Sequence, residues 1–439
     1  MLESIPDNPT PSDISHLERM EKVIDALKSR FGMNVIITAA PNTVANEAAV
    51  DYTFENRPFF KTTTRLNPAD PQQMDRLFKI RREQMGYFAN AEGLAVIDSD
   101  PGGYSGSTDK EFVDILNRYM DIIGELNPDA YLYYWMWVGW QAYNRMWEEI
   151  EAGNKCPELH VVSSDFENVL NELIAGEKDN WKLFSCWPVH QEVIKKLGLQ
   201  SKSLFFPYGV VEGEPTFPFT NLSPDNVSKE FSRFNDKDMP LGVMANSQTH
   251  AVQLPNTYLF AKAAGSKCMG CDSLEEFADS LIPGEGLLIS QAWQALQSDD
   301  SSQMYALVPE LREKSLEELS SGSAGGLLLM TPGDFLADLA LQLEFRADVV
   351  EFMNSDESAQ DNKAILGSLT RTWRRWQSRT GFSDAYMDTM NLHPALRKLG
   401  DENINKVLDD FNDWRDPGIR HGIVPRLLDA ITDFAEDEE

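Results

Sequence analysis

Short apolar runs alternate with helical patterns over roughly the first 265 residues, and this alternation limits the fold more than any other feature. Each run has about the length of a buried strand, and apolar residues at helical spacing follow it. Strands separated by helices build parallel sheets, and about seven or eight such units favour a closed barrel over an open sheet. We therefore predict an α/β fold of the (β/α)8 TIM-barrel type. The strand-like runs are residues 34–38, 59–64, 94–97, 131–140, 159–163, 182–187, 203–208 and 241–245.

The chain opens with a helix instead of a strand. Apolar residues at helical spacing predict an amphipathic helix over residues 12–31, with Ser15 and Glu18 in capping-box positions and Gly32 after its end. The first barrel strand is therefore expected to be missing, irregular or hidden near residue 60, which leaves the barrel incomplete at its amino-terminal end.

Strand-like runs fade from about residue 270 onward, and helical patterns replace them. We therefore expect a (β/α)8-type catalytic barrel over residues 1–268 and an α-helical domain over residues 269–439. The helical patterns cover residues 274–281, 287–296, 334–352, 363–376 and 419–434.

The charge balance limits the partners. With 70 acidic and 39 basic residues, the formal net charge is −31, so the surface repels phosphate and anionic lipid. We expect no nucleic acid and no membrane as partner, and no apolar run approaches the roughly 18 residues of a membrane span. High acidity is equally typical of salt-adapted proteins, and the sequence leaves a homo-oligomer open. The amino terminus has no signal-peptide pattern, which predicts a cytoplasmic protein as written, or a periplasmic or secreted one if a leader has been trimmed.

Neither a metal nor a cofactor is predicted. Four cysteines do not make a disulfide scaffold, and Cys268 and Cys271 form a lone CxxC without the second ligand pair of a zinc site. The chain has no Walker loop, HExxH motif or Rossmann glycine fingerprint, and no Gly-x-Ser-x-Gly elbow.

Carboxylates follow two of the predicted strands. Asp98 and Asp100 come directly after the run at 94–97, before Pro101, Gly102 and Gly103, and Glu212 and Glu214 follow the run at 203–208. Glycoside hydrolysis needs two carboxyl groups on opposite sides of the bond, one as acid and the other as base or nucleophile. We expect one catalytic carboxyl from each pair, with His250 as a further acid, base or hydrogen-bonding group. A solvated or helix-capping role is the alternative for each carboxylate.

Aromatic and amide side chains also concentrate after strands. Tryptophan and tyrosine planes stack on the apolar faces of sugar rings, although alternating aromatic residues in a strand are more often core. Trp137 and Trp140 are the first candidates, and amides after the run at 241–245 would bind sugar hydroxyls. The full substrate-binding prediction is Tyr104, Trp135, Trp137, Trp140, Trp187, Tyr208, Asn246 and Gln248.

Three stretches resemble barrel glycoside hydrolases of the α-glucuronidase and β-hexosaminidase types, which carry a helical carboxyl-terminal domain. They are residues 93–103, the aromatic run 131–140 and residues 248–256, which follow the predicted strand at 241–245. The likeness extends loosely over residues 34–265. The resemblance implies exo-action on a carbohydrate chain end, with acid and base from different strand exits. The chain lacks the paired acidic dipeptide typical of hexosaminidases.

The sequence thus predicts a glycoside hydrolase acting on a poly- or oligosaccharide. One alternative is a non-catalytic carbohydrate-binding protein on a degenerate barrel. Another is a metal-dependent lyase or isomerase, in which three or more of the predicted acidic residues and His250 would converge on one ion.

Overall fold

A computed structural model describes most of the chain, which forms two compact units. Unit 1 comprises Met1–Phe206 and Asn235–Met244, and unit 2 comprises Pro207–Phe234 and Ala245–Glu439. The predicted domain boundary, between residues 268 and 269, lies outside the described residues and stays a prediction. The described residues are 2, 5–6, 8–45, 63–99, 102–154, 158–211, 224–232, 240–247, 250–265, 273–318, 326–355, 359–380, 392–413 and 417–436.

Eight strands are found in the described ranges. They are β1 (Ile36–Ala39), β2 (Thr43–Ala45), β3 (Thr63–Arg65), β4 (Gly93–Ile97), β5 (Tyr131–Met136), β6 (Trp181–Ser185), β7 (Ser203–Phe205) and β8 (Gly242–Val243). Six of them form one sheet in the order β1-β4-β5-β6-β7-β8, and β2 and β3 form a separate antiparallel pair. All five pairings of the larger sheet are parallel. The predicted α/β class is therefore confirmed.

Sixteen α-helices lie in the described ranges. They are α1 (Pro11–Phe31), α2 (Pro71–Gly86), α3 (Asp109–Leu126), α4 (Trp140–Glu151), α5 (Ser164–Ala175), α6 (Pro188–Leu197), α7 (Pro224–Phe231), α8 (His250–Ala263), α9 (Leu274–Leu281), α10 (Gly286–Ala295), α11 (Ser301–Glu318), α12 (Pro332–Asn354), α13 (Ala359–Thr380), α14 (His393–Lys398), α15 (Glu402–Asp413) and α16 (Pro417–Glu436). None of the described helices is long and apolar enough to cross a membrane.

The two faces of the parallel sheet have different partners. Alternate strand residues such as Leu94, Leu132 and Leu183 join apolar side chains of α2, α3, α5 and α6 in one large core. The opposite face is filled by residues of the strands themselves, which form a second cluster: Ala95, Tyr133, Phe184, Ile36, Trp135, Leu204 and Met244. This follows from the two-residue period of a strand, which sends neighbouring side chains to opposite faces.

Gly93 allows β4 and β5 to approach closely. A Cβ atom at this position would lie 2.5 Å from the Tyr131 carbonyl oxygen and 2.6 Å from the Tyr133 ring. The absence of a side chain at Gly93 therefore makes room for the aromatic face of β5.

One predicted strand is wrong. Residues 158–163 form no strand, and Leu159 and Val162 are 41% and 48% exposed. Their backbone is held by side chains instead: Asp165 accepts a hydrogen bond from the Val162 N–H at 2.9 Å, and Arg145 donates to the His160 carbonyl at 2.7 Å. The parallel sheet therefore has six strands in the described residues, and closure into a full barrel is not shown.

The secondary structure of the described residues of unit 2 is helical. Its helices bury two apolar clusters, one centred on α8 to α12 and the other on α12 to α16. Five of its described helices have no counterpart in the sequence prediction: α7, α8, α11, α14 and α15. In α11 the apolar spacing is interrupted by Pro309, which lies inside the helix.

Candidate active site at the strand exits of unit 1

Asp98 joins the carboxyl ends of β4 and β5. The residue is fully buried, and its carboxylate accepts hydrogen bonds from the Tyr134 hydroxyl at 3.1 Å and the Ser99 hydroxyl at 2.8 Å. The backbone N–H of Trp137 lies 3.2 Å from both carboxylate oxygens. Ser99 Oγ in turn accepts from the Val138 N–H at 3.4 Å. The side chains of Asp98 and Ser99, which directly follow β4, therefore fix the backbone that follows β5.

Burial dominates the electrostatics of this carboxyl group. It raises the pKa of Asp98 from 3.8 to about 6, because the surrounding protein solvates the charge less well than water does. The hydrogen bonds from Ser99, Trp137, Gly139 and Tyr134 act in the opposite direction, since they stabilise the ionised form. The same burial, together with the nearby carboxylate, raises the pKa of Tyr134 well above 10.

Aromatic rings from three adjacent strand exits form a continuous cluster, which we term the aromatic platform. The ring centroids of Trp137 and Trp187 lie 5.2 Å apart at 41°, and Trp137 stacks on Phe206 at 6.4 Å. Trp135 contacts Phe206 edge to face at 5.5 Å. The three indoles are partly exposed, whereas Phe206 is buried beneath them. The platform therefore combines accessible indole surface with a rigid apolar base, as sugar-binding sites do.

His190 holds the backbone of the loop after β6, which carries Trp187. Its Nδ1 accepts hydrogen bonds from the backbone N–H groups of Cys186 at 2.9 Å and Trp187 at 3.2 Å. Because Nδ1 is the acceptor, the neutral ring carries its proton on Nε2. Burial lowers the pKa of His190 to about 3, and the backbone carbonyl of Trp137 acts in the opposite direction. The imidazole is thus neutral and packed edge to face on Phe166 at 4.3 Å.

The loop between β4 and α3 is held against α4. Asn144 accepts a hydrogen bond from the Tyr104 N–H at 2.7 Å and donates to Ser107, while the Trp147 indole donates to the Gly102 carbonyl at 2.9 Å. Gly103 has a positive φ of 77°, and a Cβ there would lie 2.7 Å from the Asn144 side chain. Tyr104 is therefore half-buried on a tethered loop.

The structure brings only part of the predicted site together. Asp98, Trp135, Trp137 and Trp187 share the exits of β4, β5 and β6. Trp140 is different: it is fully buried in the core and stacks on Phe112 at 4.7 Å, so no ring face is open to a ligand. Its predicted role in substrate binding has no support in this position.

The remaining predicted residues belong to other parts of the chain. Tyr208 and Asn246 are half-buried residues of unit 2. His250 is the first residue of α8, but its side chain is not described. The catalytic roles of Asp100, Glu212 and Glu214 stay predictions, as does the role of Gln248, since these four lie outside the described residues.

Three functional residues were missed from the sequence. Phe206 directly follows a strand, and His190 lies three residues after Trp187 at the start of a helix, so both had a positional signal. Tyr134 shares the helix-covered face of β5 with Leu132 and Met136, as the alternation of a strand places it. Its buried ring and hydroxyl serve Asp98.

No group of three histidine, cysteine or acidic side chains is placed to hold a metal ion within the described ranges. Unit 2 contains an open cleft of about 460 Å³ with acidic residues Asp299, Asp300 and Glu351 in its lining. Its described lining has no aromatic ring, and Asp299 pairs with Arg346 at 3.2 Å. This cleft is less suited to a sugar face than the aromatic platform is.

Comparison with known proteins shows a likeness of fold. No family model matches the sequence, and no curated protein matches it. The structure is similar to that of a family 89 glycoside hydrolase from Clostridium perfringens, solved in complex with 2-acetamido-1,2-dideoxynojirmycin. The TM-score is 0.51 with 11% sequence identity, and the match covers 100% of this chain and 56% of the other. The chain therefore has the fold of a glycoside hydrolase over about half the length of that enzyme.

Proposed function

We propose that this protein is a glycoside hydrolase with a (β/α)8-type barrel, acting on a poly- or oligosaccharide at the strand exits of unit 1. The observation that carries the proposal is the aromatic platform of Trp135, Trp137, Trp187 and Phe206 across three adjacent exits. In α/β barrels the loops at the carboxyl ends of the strands hold the substrate. The likeness of fold to a glycoside hydrolase also supports the proposed activity.

Sheet order supports a barrel rather than a doubly wound sheet. The six parallel strands follow one another in chain order without reversal. A doubly wound sheet reverses its order at a switch point, whereas a barrel keeps it. The strand side chains that fill one face resemble the packed interior of such a barrel.

The catalytic carboxyls in this proposal are Asp100 and one of Glu212 and Glu214. Asp98 is fully buried, and backbone and hydroxyl donors occupy its oxygens. A carboxyl group that protonates a glycosidic oxygen must reach the substrate. The separation of the two catalytic carboxyls would set the stereochemistry, at about 5–5.5 Å for retention and 6.5–9.5 Å for inversion.

The test is hydrolysis of a panel of chromogenic glycosides, including 2-acetamido-2-deoxy sugars and uronic acids. Asp100→Asn and Glu212→Gln are compared with Asp129→Asn and Glu158→Gln, two substitutions of exposed residues in unit 1. We expect Asp100→Asn to lose activity by about 10³-fold or more, as should one of Glu212→Gln and Glu214→Gln, and we expect the control pair to keep it. Full activity in both Asp100→Asn and Glu212→Gln, with Glu214→Gln also active, would contradict the assignment.

A non-catalytic carbohydrate-binding protein is the second candidate. The observation that favours it is that the one described carboxylate beside the platform, Asp98, is fully buried. Calorimetric titration with oligosaccharides and 2-acetamido-1,2-dideoxynojirmycin separates the two functions. Binding without turnover of any glycoside in the panel would favour this candidate. The metal-dependent lyase or isomerase stays a prediction, because Asp100, Glu212 and Glu214 lie outside the described residues.

A further inference from the structure

Two of the three indoles of the platform, those of Trp137 and Trp187, are attached to backbone that a buried titratable side chain holds in place. The Trp137 N–H is bound by the Asp98 carboxylate at 3.2 Å. The Trp187 N–H is bound by His190 Nδ1 at 3.2 Å, and the same ring receives the Cys186 N–H at 2.9 Å. The Asp98 and His190 side chains are at most a few per cent exposed. Each is therefore supported by core packing.

Trp137 is constrained at its backbone and at its ring. Its N–H is bound by the Asp98 carboxylate. Its ring packs on Trp187 and Phe206. Fixed backbone leaves the indole few alternative positions, so little conformational entropy remains to be lost when a ligand binds.

Charge and hydrogen-bond capacity explain why these two residue types occupy the positions. A carboxylate can accept several N–H and O–H donors at once, and Asp98 receives Trp137, Tyr134 and Ser99. A neutral imidazole supplies one acceptor nitrogen at the start of α6, where backbone N–H groups have no intrahelical partner. Apolar residues of the same size would leave those donors buried without a partner.

We propose that Asp98 and His190 are positioning residues of the carbohydrate site, which together hold Trp137 and Trp187 in a preformed geometry. The inference rests on the proposed function for the identity of the ligand, but not for the geometry of the indoles. Asp98 would act through Trp137 and not on the glycosidic bond. Its substitution should therefore disturb ligand binding more than bond cleavage.

Circular dichroism tests the relative geometry of the Trp137 and Trp187 indoles without a substrate. Two indoles 5.2 Å apart at 41° couple as excitons, so the far-ultraviolet circular dichroism of the whole protein should contain a couplet that Trp187→Phe removes. We expect Asp98→Asn and His190→Leu to lose most of this component. His190→Asn, whose side-chain oxygen stands near the position of Nδ1, should keep it. Asp348→Asn is the matched control, because Asp348 is also a buried carboxyl whose pKa burial raises to about 6.

Two outcomes would overturn the proposal. One is an unchanged couplet in both Asp98→Asn and His190→Leu, and the other is an equal loss in Asp348→Asn. Should either site variant fail to fold, Tyr134→Phe removes one donor to Asp98 with little change in shape, and the couplet is expected to weaken. An unaltered couplet in Tyr134→Phe would then count against the proposal.

Kinetics separates positioning from catalysis once a cleaved glycoside is known. We expect Asp98→Asn to raise KM by about ten- to a hundred-fold, with kcat changed by less than about threefold. A loss confined to kcat would show that Asp98 is catalytic and overturn the inference. If no glycoside is bound or cleaved, the proposed function fails, and the couplet still decides whether the two side chains set the indole geometry.

Discussion

Asp98 of unit 1 and Asp348 of unit 2 are two buried carboxyls with the same raised pKa and different surroundings. Burial raises the pKa of each from 3.8 to about 6. Asp98 accepts from the backbone of a strand-exit loop, whereas Asp348 accepts from the Tyr305 hydroxyl and lies near the like charges of Glu344 and Glu351. A perturbed pKa alone therefore does not distinguish a site residue from a helix-packing residue, but the hydrogen-bond donors do.

The same contrast holds for the aromatic residues. In unit 1 the rings of Trp137 and Trp187 are partly exposed next to buried Phe206. In unit 2 Trp373 and Trp376 contact each other at 5.6 Å and are 1% exposed. The two pairs have similar ring separations, yet only the first offers surface to a ligand.

The largest expected effect comes from removing one ring of each pair. Trp373→Ala should lower the free energy of unfolding of unit 2 by about 3–5 kcal/mol, since it opens a cavity in a closed core. Trp137→Ala should cost about 1 kcal/mol or less, because the ring is already half in solvent, but should weaken oligosaccharide binding by about tenfold or more. Urea unfolding and calorimetry measure the two quantities. Equal losses of stability in Trp373→Ala and Trp137→Ala would contradict the proposed difference between the two tryptophan pairs.

Truncation of the two carboxyls should give the next largest difference. Asp98→Ala leaves the Trp137 N–H and the Tyr134 hydroxyl buried without an acceptor, so we expect a loss of about 3 kcal/mol. Asp348→Ala orphans fewer donors and relieves repulsion with Glu344 and Glu351, so about 1 kcal/mol is expected. Hydrogen exchange of the backbone amides measures the stability of each unit separately. A larger loss for Asp348→Ala would contradict this account of the donors.

The pH dependence should separate Asp98 from its neighbour His190. The folded pKa of Asp98 is raised, so its contribution to stability is complete below pH 3.8 and is lost as pH rises to about 6. The folded pKa of His190 is lowered to about 3, so its contribution is present above pH 6.5 and is lost as pH falls.

Between about pH 4 and 6, Asp98 and His190 therefore change the free energy of unfolding in opposite directions as the pH rises. Relative to the wild type, Asp98→Asn should gain stability with rising pH by up to about 1.4 kcal/mol per unit in this window. His190→Asn should show the reverse trend, and Asp348→Asn should follow Asp98→Asn. Thermal unfolding at a series of pH values measures the differences. Parallel curves for Asp98→Asn and the wild type would show that Asp98 has no raised pKa.

The smallest effect is expected from the tyrosines. Tyr134→Phe and Tyr305→Phe each remove one hydroxyl donor to a carboxylate, which should cost about 0.5–1 kcal/mol. The removal of a donor should also raise the pKa of each aspartate further. Carbon-detected NMR of the two carboxyl groups measures the pKa of each aspartate. An unchanged pKa in either variant would indicate that its tyrosine does not stabilise the ionised form.

Local sequence patterns were sufficient for the α/β class and for strands with continuous apolar runs. The runs at 94–97 and 182–187 lie within two residues of β4 and β6, and Gly32 ends α1 in the left-handed conformation with φ of 63°. The predicted capping box at Ser15 and Glu18 was wrong, because α1 is capped one turn earlier by Thr10 and Asp13.

Long-range contacts explain the other errors. Leu159 and Val162 are apolar but exposed, and the backbone of this segment is held by Asp165, which accepts from the Val162 N–H, and by Arg145, which donates to the His160 carbonyl. Two of the donors to Asp98, Tyr134 and Trp137, lie 36 and 39 positions further along the chain. A sequence without an alignment does not show such pairs, which is why Asp98 was predicted as a catalytic carboxyl beside Asp100.

The most direct test of the carbohydrate site is NMR of the indole N–H groups during titration with 2-acetamido-1,2-dideoxynojirmycin and a panel of oligosaccharides. Resonances are assigned by single Trp→Phe substitutions. The account predicts that Trp137 and Trp187 shift on ligand addition, while Trp373 and Trp376 stay unchanged. Shifts confined to the unit 2 tryptophans, or binding with no change at Trp137 and Trp187, would show that the strand exits of unit 1 are not the ligand site.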